Sequence, residues 1–204
     1  TIIGRLGRPG SNWRTEKHVI LEGAEGIGQA LRRVGELVQA RGERFHIVVI
    51  GGAAVNLLGF VSRATTDVDI LAFGRSDASG SIRLVPPDTP LPQILLDASK
   101  TVATDLNLDP NWLNSGPASQ WRSGLPPGLE ARVHWMEYSG LVVGLVDRYD
   151  LIFFKLYAAV DDVGPKSAHF QDLLALTPTD EELAAAAGWV RGQDPSPAIE
   201  VALT

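Results

Sequence analysis

Apolar residues recur along this chain with two different periods, and the period separates helix from strand. Ile27, Leu31, Val34, Leu37 and Val38 fall three or four apart within residues 25–41, which predicts an amphipathic helix ending at Arg41-Gly42, a basic last turn and a terminal glycine. FHIVVIGG, residues 45–52, is short, continuous and β-branched, as a buried strand stopped by glycines would be, and AAVNLLGF after it fits a short helix. TDVDILAF, residues 66–73, reads as the next strand. Residues 74–90 are rich in Gly, Ser, Asp and Pro and predict a loop, 91–108 a helix, and 109–128 a long irregular crossing. ARVHWMEY and LVVGLV, parted by Ser139-Gly140, predict a β-hairpin. Two helices follow over 150–162 and 167–176, and Thr179 is placed to cap a third over 180–190. Residues 1–17, with glycine, proline and arginine but no sustained period, read as an extended arm.

Together these elements predict an α+β fold: a small mixed sheet from residues 45–50, 67–73 and the 131–146 hairpin, flanked by helices, with a C-terminal helical part over the site. The expected division is an arm over 1–24, a core over 25–146 and a helical part over 147–204. A length of 204 residues with 45% hydrophobic content suits one compact domain or one domain with a helical appendage.

Composition narrows the chemistry. With no cysteine, neither a thiolate metal site nor a Cys nucleophile is available, so a metal would need oxygen or imidazole ligands. No apolar run approaches the roughly 18 residues of a membrane span, and no basic segment leads into an apolar cleavage region, so a cytoplasmic protein without a membrane partner is expected. The net charge of −6 argues against a general nucleic-acid binder, although residues 1–50 carry eight Arg or Lys against five acids. If the acceptor of any reaction is RNA, Arg5, Arg8, Arg14 and Lys17 on the arm, with Arg32, Arg33, Arg41 and Arg44 beyond it, are the residues to guide it. His18, His46, His134 and His169 show no metal-ligand spacing and read as structural, with His169 the one nearest the site described next.

VILEGAEGIGQALRR, residues 19–33, imitates a strand, glycine turn and helix of the dinucleotide-binding kind. Its glycines, Gly23-x-x-Gly26-x-Gly28, have the wrong spacing, the strand after it ends in glycines rather than an acid, and no Tyr-x-x-x-Lys pair follows. An oxidoreductase is therefore set aside.

The segment 48–73 carries the chemistry. Residues two apart on a strand share a face, so Asp67 and Asp69 project together while Val68 and Ile70 turn into the core. Two such carboxylates repel, each raising the pKa of the other, unless a hard divalent cation such as Mg²⁺ lies between them. The alternative is a turn at Thr65-Thr66-Asp67 that leaves one or both at an exposed strand entry. Gly51-Gly52 stands fifteen residues upstream, where glycine allows close approach of backbone to a phosphate ahead of a short helix. A phosphate cradle leading to a metal-binding strand is a layout for a nucleoside triphosphate.

Gly51-Gly52 followed by Arg63-x-Thr65-Thr66-Asp67-Val68-Asp69 resembles the signature of the DNA polymerase beta-type nucleotidyltransferase superfamily. More narrowly the chain is similar to the AbiEii-like and uncharacterised bacterial nucleotidyltransferases, several of which are toxins of toxin–antitoxin pairs. Lys155 on one late helix, Asp172 on the next and the segment NLDPNWLN, residues 107–114, extend that resemblance over about residues 45–178. It implies Mg²⁺ or Mn²⁺, an NTP substrate, transfer of its NMP to a hydroxyl of a tRNA, protein or small molecule, and a cognate antitoxin as a possible partner. Asp67 and Asp69 would be catalytic and metal-binding, and Gly51, Gly52, Arg63, Thr66, Lys155 and Asp172 would bind the nucleotide, with two metals clamping the reacting oxygens.

Read by themselves, some of these residues keep a second role. Lys155, on an apolar surface of Phe153, Phe154, Leu156 and Tyr157, needs an anionic partner or snorkels to solvent. Asp172 orients Lys155, meets the nucleotide, or is a helix-start carboxylate; Arg63 forks onto a phosphate or caps the helix end at Gly59. Gly52 stands where the superfamily often has serine. No motif places a third catalytic acid; period two on the hairpin makes Glu137 the first candidate and Glu130 the second. Without that acid, the alternative is a catalytically silent nucleotide-binding or antitoxin-like partner protein.

Overall fold

The computed structural model describes residues 19–77, 80–162, 164 and 166–203. The arm's Arg5, Arg8, Arg14 and Lys17, together with His18, lie outside the described residues. In chain order the elements are β1 (Leu21–Glu22), α1 (Gly23–Ala40), β2 (Phe45–Ile50), α2 (Gly51–Leu57), β3 (Ala64–Thr65), β4 (Val68–Ser76) and β5 (Ile82–Val85). Next come α3 (Gln93–Leu106), β6 (Leu113–Asn114), α4 (Ala118–Ser123), a 3₁₀ turn (Leu129–Arg132), β7 (His134–Tyr138) and β8 (Leu141–Leu145). Four helices close the chain: α5 (Arg148–Asp161), α6 (Ala168–Ala175), α7 (Asp180–Gln193) and α8 (Pro197–Ala202).

The sheet is mixed, in the order β5-β4-β2-β8-β7, and β6 pairs with the first residues of β4. β2 runs antiparallel to β4 and parallel to β8, so its apolar run is flanked on both edges, and Ile47, Val48 and Val49 are fully buried. This explains why β2 reads as continuous rather than alternating hydrophobicity. α1 lays Ile27, Leu31, Val34 and Val38 onto the core, in the spacing that predicted it. Its Gly35 is required by contact, because a Cβ there would lie 1.7 Å from the carbonyl oxygen of Tyr138. The backbone of Gly140, in the β7–β8 turn, then donates to Gly35 O at 3.1 Å, locking helix to hairpin.

Local signals hold where they are chemically complete. Thr179 caps α7 in a reciprocal box with Glu182, and the 131–146 hairpin forms, though Ala131 and Arg132 belong to the 3₁₀ turn rather than to a strand. Residues 74–90 depart from the predicted loop: β4 continues to Ser76 and pairs with β5. At Gly74, the first residue of that predicted loop, a Cβ would meet Ile82 Cγ2 at 2.7 Å and His46 Cβ at 2.9 Å, so the glycine is what lets side chains pass over the strand. The crossing at 109–128 likewise contains β6 and α4. Trp112 anchors it, fully buried, with its Nε1 donating to Ser99 O at 3.0 Å. α2 starts at the glycines themselves rather than after them. Among the described residues no helix is long and apolar enough to cross a membrane.

Candidate functional site

The antiparallel register of β2 and β4 pairs Ile50 with Asp69, so the turn leaving β2 at Gly51 lies directly against the carboxylates. Gly51 has φ +74, and a Cβ on it would stand 2.7 Å from Asp69 Oδ2. Only glycine satisfies both the left-handed backbone and the contact. At Gly52 a Cβ would meet Thr65 Oγ1 at 3.0 Å and Arg63 Nη2 at 3.1 Å. The place a serine would fill at 52 is thus already crowded by the Thr65 hydroxyl. That hydroxyl also lies 3.3 Å from Asp67 O and 3.4 Å from Asp67 Oδ1, within hydrogen-bonding range of both. Beneath the turn, fully buried Asn56 accepts from Arg63 N at 3.0 Å and donates to Gly52 O at 2.9 Å. The glycine turn and the segment leading to Asp67 are therefore one rigid unit.

Asp69 is only partly exposed, and burial together with the Asp67 charge pushes its carboxyl up to about 6. Asn114, its neighbour across the β4–β6 pair, works against that shift by donating to Asp69 Oδ1 at 3.2 Å. The other end of the Asn114 amide accepts the Gly116 N–H at 2.7 Å, which fixes which end faces Asp69.

Opposite the carboxylates stand two cations sharing one acid. Arg63 makes a fork onto Asp172, Nε to Oδ1 at 2.9 Å and Nη2 to Oδ2 at 2.6 Å, and Lys155 Nζ reaches the same Oδ2 at 2.6 Å. Burial raises the Asp172 carboxyl, but the hydrogen bonds and charges of Arg63 and Lys155 outweigh it and leave it below the ordinary carboxylate value. Burial pulls the Lys155 ammonium down, against the upward pull of Asp172. The three groups carry one net positive charge, and it faces a groove of about 340 Å³ that Asp67 and Asp69 also line.

Gly51, Gly52, Arg63, Thr66, Asp67, Asp69 and Lys155 all line that groove. Asp172 does not; it is buried behind the two cations as their common anchor. Arg63 caps nothing at Gly59, and Lys155 does not snorkel. Glu137 is elsewhere: it pairs with Arg44 at 2.8 Å on an exposed edge, in line through β8 with His46, whereas Asp69 pairs with Ile50 at the other end of β2. Period two along one strand does not contain the distance along the sheet. Glu130 is engaged as well, accepting Leu84 N at 2.6 Å.

Three residues of the site were given no functional role from sequence. Thr65 and Asn114 are polar residues in ordinary turns until the pairing brings them to Asp67 and Asp69. His169, read as structural, lines the groove; burial and the Lys155 charge lower its pKa, and its Nδ1 is enclosed without a hydrogen-bond partner. Among the described residues no group of three or more His, Asp or Glu side chains is arranged to hold a metal ion. The donor set at Asp67 and Asp69 is a pair.

The arrangement can be set beside known proteins. The model of a family described as a nucleotidyltransferase of unknown function, DUF6036, matches residues 29–163. The chain belongs to that family. The DUF6036 match runs through Gly51, Asp67, Asp69 and Lys155 and stops short of Asp172. It is a nucleotidyltransferase family by description, and kinship with the AbiEii-like proteins stays a resemblance of motifs. No curated protein matches the chain. A crystal structure of an antigenic nucleotidyltransferase-like protein from Paracoccidioides brasiliensis is similar over 91% of this chain and 94% of that one, at 14% identity and a TM-score of 0.44. A likeness of that size says nothing of function.

Proposed function

We propose that this DUF6036 chain transfers a nucleoside monophosphate from an NTP to an acceptor hydroxyl, releasing pyrophosphate. The observation that carries the reading is a single groove with Asp67 and Asp69 on one wall and Lys155 and Arg63 on the other, under a turn that only glycine can make. Lys155 and Arg63 attract the polyphosphate; α2, at seven residues, is too short for its dipole to matter beside two cations. Asp172 holds both cations in place before the substrate arrives, so little reorganisation remains to be done on binding.

A divalent ion fits the donor set. Asp67 and Asp69 supply two hard carboxylates, and burial, with the Asp67 charge added, raises the pKa of Asp69, a cost that a cation between the two would relieve. Mg²⁺ characteristically takes one or two carboxylates and completes its shell with water and substrate phosphates. Bound there, it would neutralise charge on the phosphates. A pair of carboxylates supports one ion carried in with the nucleotide better than the two-ion arrangement expected from the resemblance.

Asn114 favours a second reading. It occupies the position beside Asp69 on the paired strand, where a carboxylate would complete a triad, and an amide there cannot take a proton from an acceptor hydroxyl. A nucleotide-binding protein without transfer activity would tolerate that amide. Toxicity through modification of an essential host component, with an antitoxin to restrain it, is a further consequence of the transfer reading.

The test has two stages. Thermal stabilisation by NTP should require Mg²⁺ or Mn²⁺ and vanish in Asp67→Asn/Asp69→Asn while the apo fold persists; equal stabilisation of both proteins sinks the site. Transfer of label from α-phosphate-labelled NTP to any acceptor then separates the enzyme from the silent binder. Growth arrest on expression of the wild type and not of the double variant tests the toxin role.

A further inference from the structure

His169 lines the groove of Asp67 and Asp69 and has no part in the chemistry set out above. It stands in the first turn of α6, three residues before Asp172, so the two share a face of that helix. Asp172 is buried behind Arg63 and Lys155 as their anchor, and His169, one turn earlier, comes out beside them in the groove. The ring is partly buried, and its Nδ1 is enclosed with no hydrogen-bond partner among the described residues, so no bond there fixes the tautomer. A polar atom left unsatisfied inside a protein calls for an explanation, and one on a ring that lines a groove points to a partner from outside the chain. The outer torsion of a histidine is broad and roughly two-fold, so a half-turn of the ring takes that nitrogen out of its enclosure.

The surroundings decide the charge of the ring. Burial and Lys155 on α5 favour the neutral form, and Arg63, ahead of β3, acts in the same direction. Asp162, at the end of α5, and Asp172 on α6 act against them, and Asp67 and Asp69 line the same groove. A third permanent cation beside Arg63 and Lys155 would be repelled by both while the groove is empty. A histidine avoids that cost because it is neutral there. A polyphosphate brings several negative charges, which reverse the balance and draw a proton onto the ring.

We propose that His169 is a ligand to the outer phosphates of the NTP, a third cationic contact that forms when the polyphosphate enters the groove and is withdrawn when pyrophosphate leaves. This rests on the nucleotide-binding part of the function proposed above. The proton comes from solvent on binding and returns to it on release, so a full cycle consumes none. Because the ring binds its proton more tightly with phosphate present, NTP affinity is greatest at low pH and falls as pH rises through the value at which the bound ring discharges. An NMP, which has no outer phosphates, lacks this dependence.

The experiment is calorimetry on the full chain at saturating Mg²⁺, with ATP, GTP, CTP or UTP, whichever binds, and the matching NMP. Each titration is repeated in two buffers of different ionisation enthalpy, and the difference in heat counts the protons exchanged. The wild type should take up roughly half a proton or more per NTP at about pH 7.5, and close to none per NMP. His169→Gln keeps a neutral donor; it should abolish the uptake and weaken NTP binding about tenfold near pH 6.5, the worth of one charge-assisted contact, with the two proteins converging near pH 8.5. Proton release from Asp69 on metal binding is common to both proteins and cancels between them. Should the variant fail to fold, histidine-ring NMR of the wild type reads the same event, as one imidazole that titrates at higher pH in the Mg·NTP complex than in the free protein. NTP binding without proton uptake, equal uptake in the variant, or the same uptake with NMP overturns the assignment. Failure of the wild type to bind any NTP overturns the nucleotide reading itself, and is seen in the first titration.

Discussion

Lys155 Nζ and Asp172 Oδ2 lie 2.6 Å apart with 3% and 1% of their side chains exposed, so a buried ion pair ties α5 to α6 directly behind the groove that Asp67 and Asp69 line. Removing one partner of such a pair costs more than the pair itself contributes, because the other is left charged and desolvated. Asp172→Ala should therefore destabilise the protein by about 3 kcal/mol or more, measured by denaturant unfolding at neutral pH. The sign of the pH dependence follows from the depressed pKa of Asp172. Its contribution is complete above the ordinary aspartate value of about 3.9 and is lost as pH falls through the lower folded value. The stability gap between wild type and Asp172→Asn should narrow in acid, and a gap that widens there would contradict the pairing.

Lys155→Met separates binding from packing. The methionine keeps most of the apolar stem, and Asp172 retains the Arg63 fork. Loss of one charge-assisted contact to phosphate is worth roughly 1.5–3 kcal/mol, or about ten- to hundredfold in affinity. Calorimetry with NTP and NMP should show the larger loss for the triphosphate. Equal losses for both ligands would mean that Lys155 does not address the outer phosphates.

Substitutions at the two glycines should differ in character. Gly51→Ala meets both a left-handed φ of +74 and Asp69 Oδ2, and should cost on the order of 1–3 kcal/mol and abolish Mg-dependent NTP stabilisation. Gly52→Ser meets only the Thr65 hydroxyl and the guanidinium of Arg63, with no left-handed φ to strain it. Its effect should be relieved by Thr65→Ala, giving a coupling of about 0.5 kcal/mol or more in a double-mutant cycle. Additive effects would show that the two side chains do not compete for one place.

Asp69→Asn should stabilise the metal-free protein. With its folded pKa raised to about 6, Asp69 takes up a proton more readily folded than unfolded, so apo stability falls as pH rises from about 4 to 6. The asparagine variant lacks that slope, and at pH 7 should be more stable by on the order of 2 kcal/mol. Thermal melts across that range, without divalent ions, measure it; parallel curves for the two proteins would remove the charge strain inferred at this site.

Glu137→Gln should change little. An ion pair whose partners are 49% and 73% exposed contributes about 0–1 kcal/mol, and Glu137 is level with His46, at the other end of β2 from Asp69. Nucleotide binding and any transfer activity should match the wild type. Loss of transfer with binding intact would return Glu137 to the role of third acid.

Periodicity and turn chemistry made most of the elements legible. Asp67, expected on the strand with Asp69, precedes β4, which begins at Val68, whereas α1, β2, α3, the hairpin, α5 and α6, and the capped α7 each carry their cause within a dozen or so neighbouring residues. Gly51-Gly52 before a D-x-D strand was readable for the same reason: a backbone conformation and a carboxylate pair are local facts. What needed the tertiary structure were relations whose partners are far apart in sequence. Asp172 meets Arg63 across 109 positions, and Asn114 meets Asp69 across 45. β5 and β6 are too short to announce themselves and exist because β4 offers an unpaired edge. Glu137 had the right residue type on a strand of the right sheet, but its distance from Asp69 depends on register through two intervening strands, which period two along one strand does not contain.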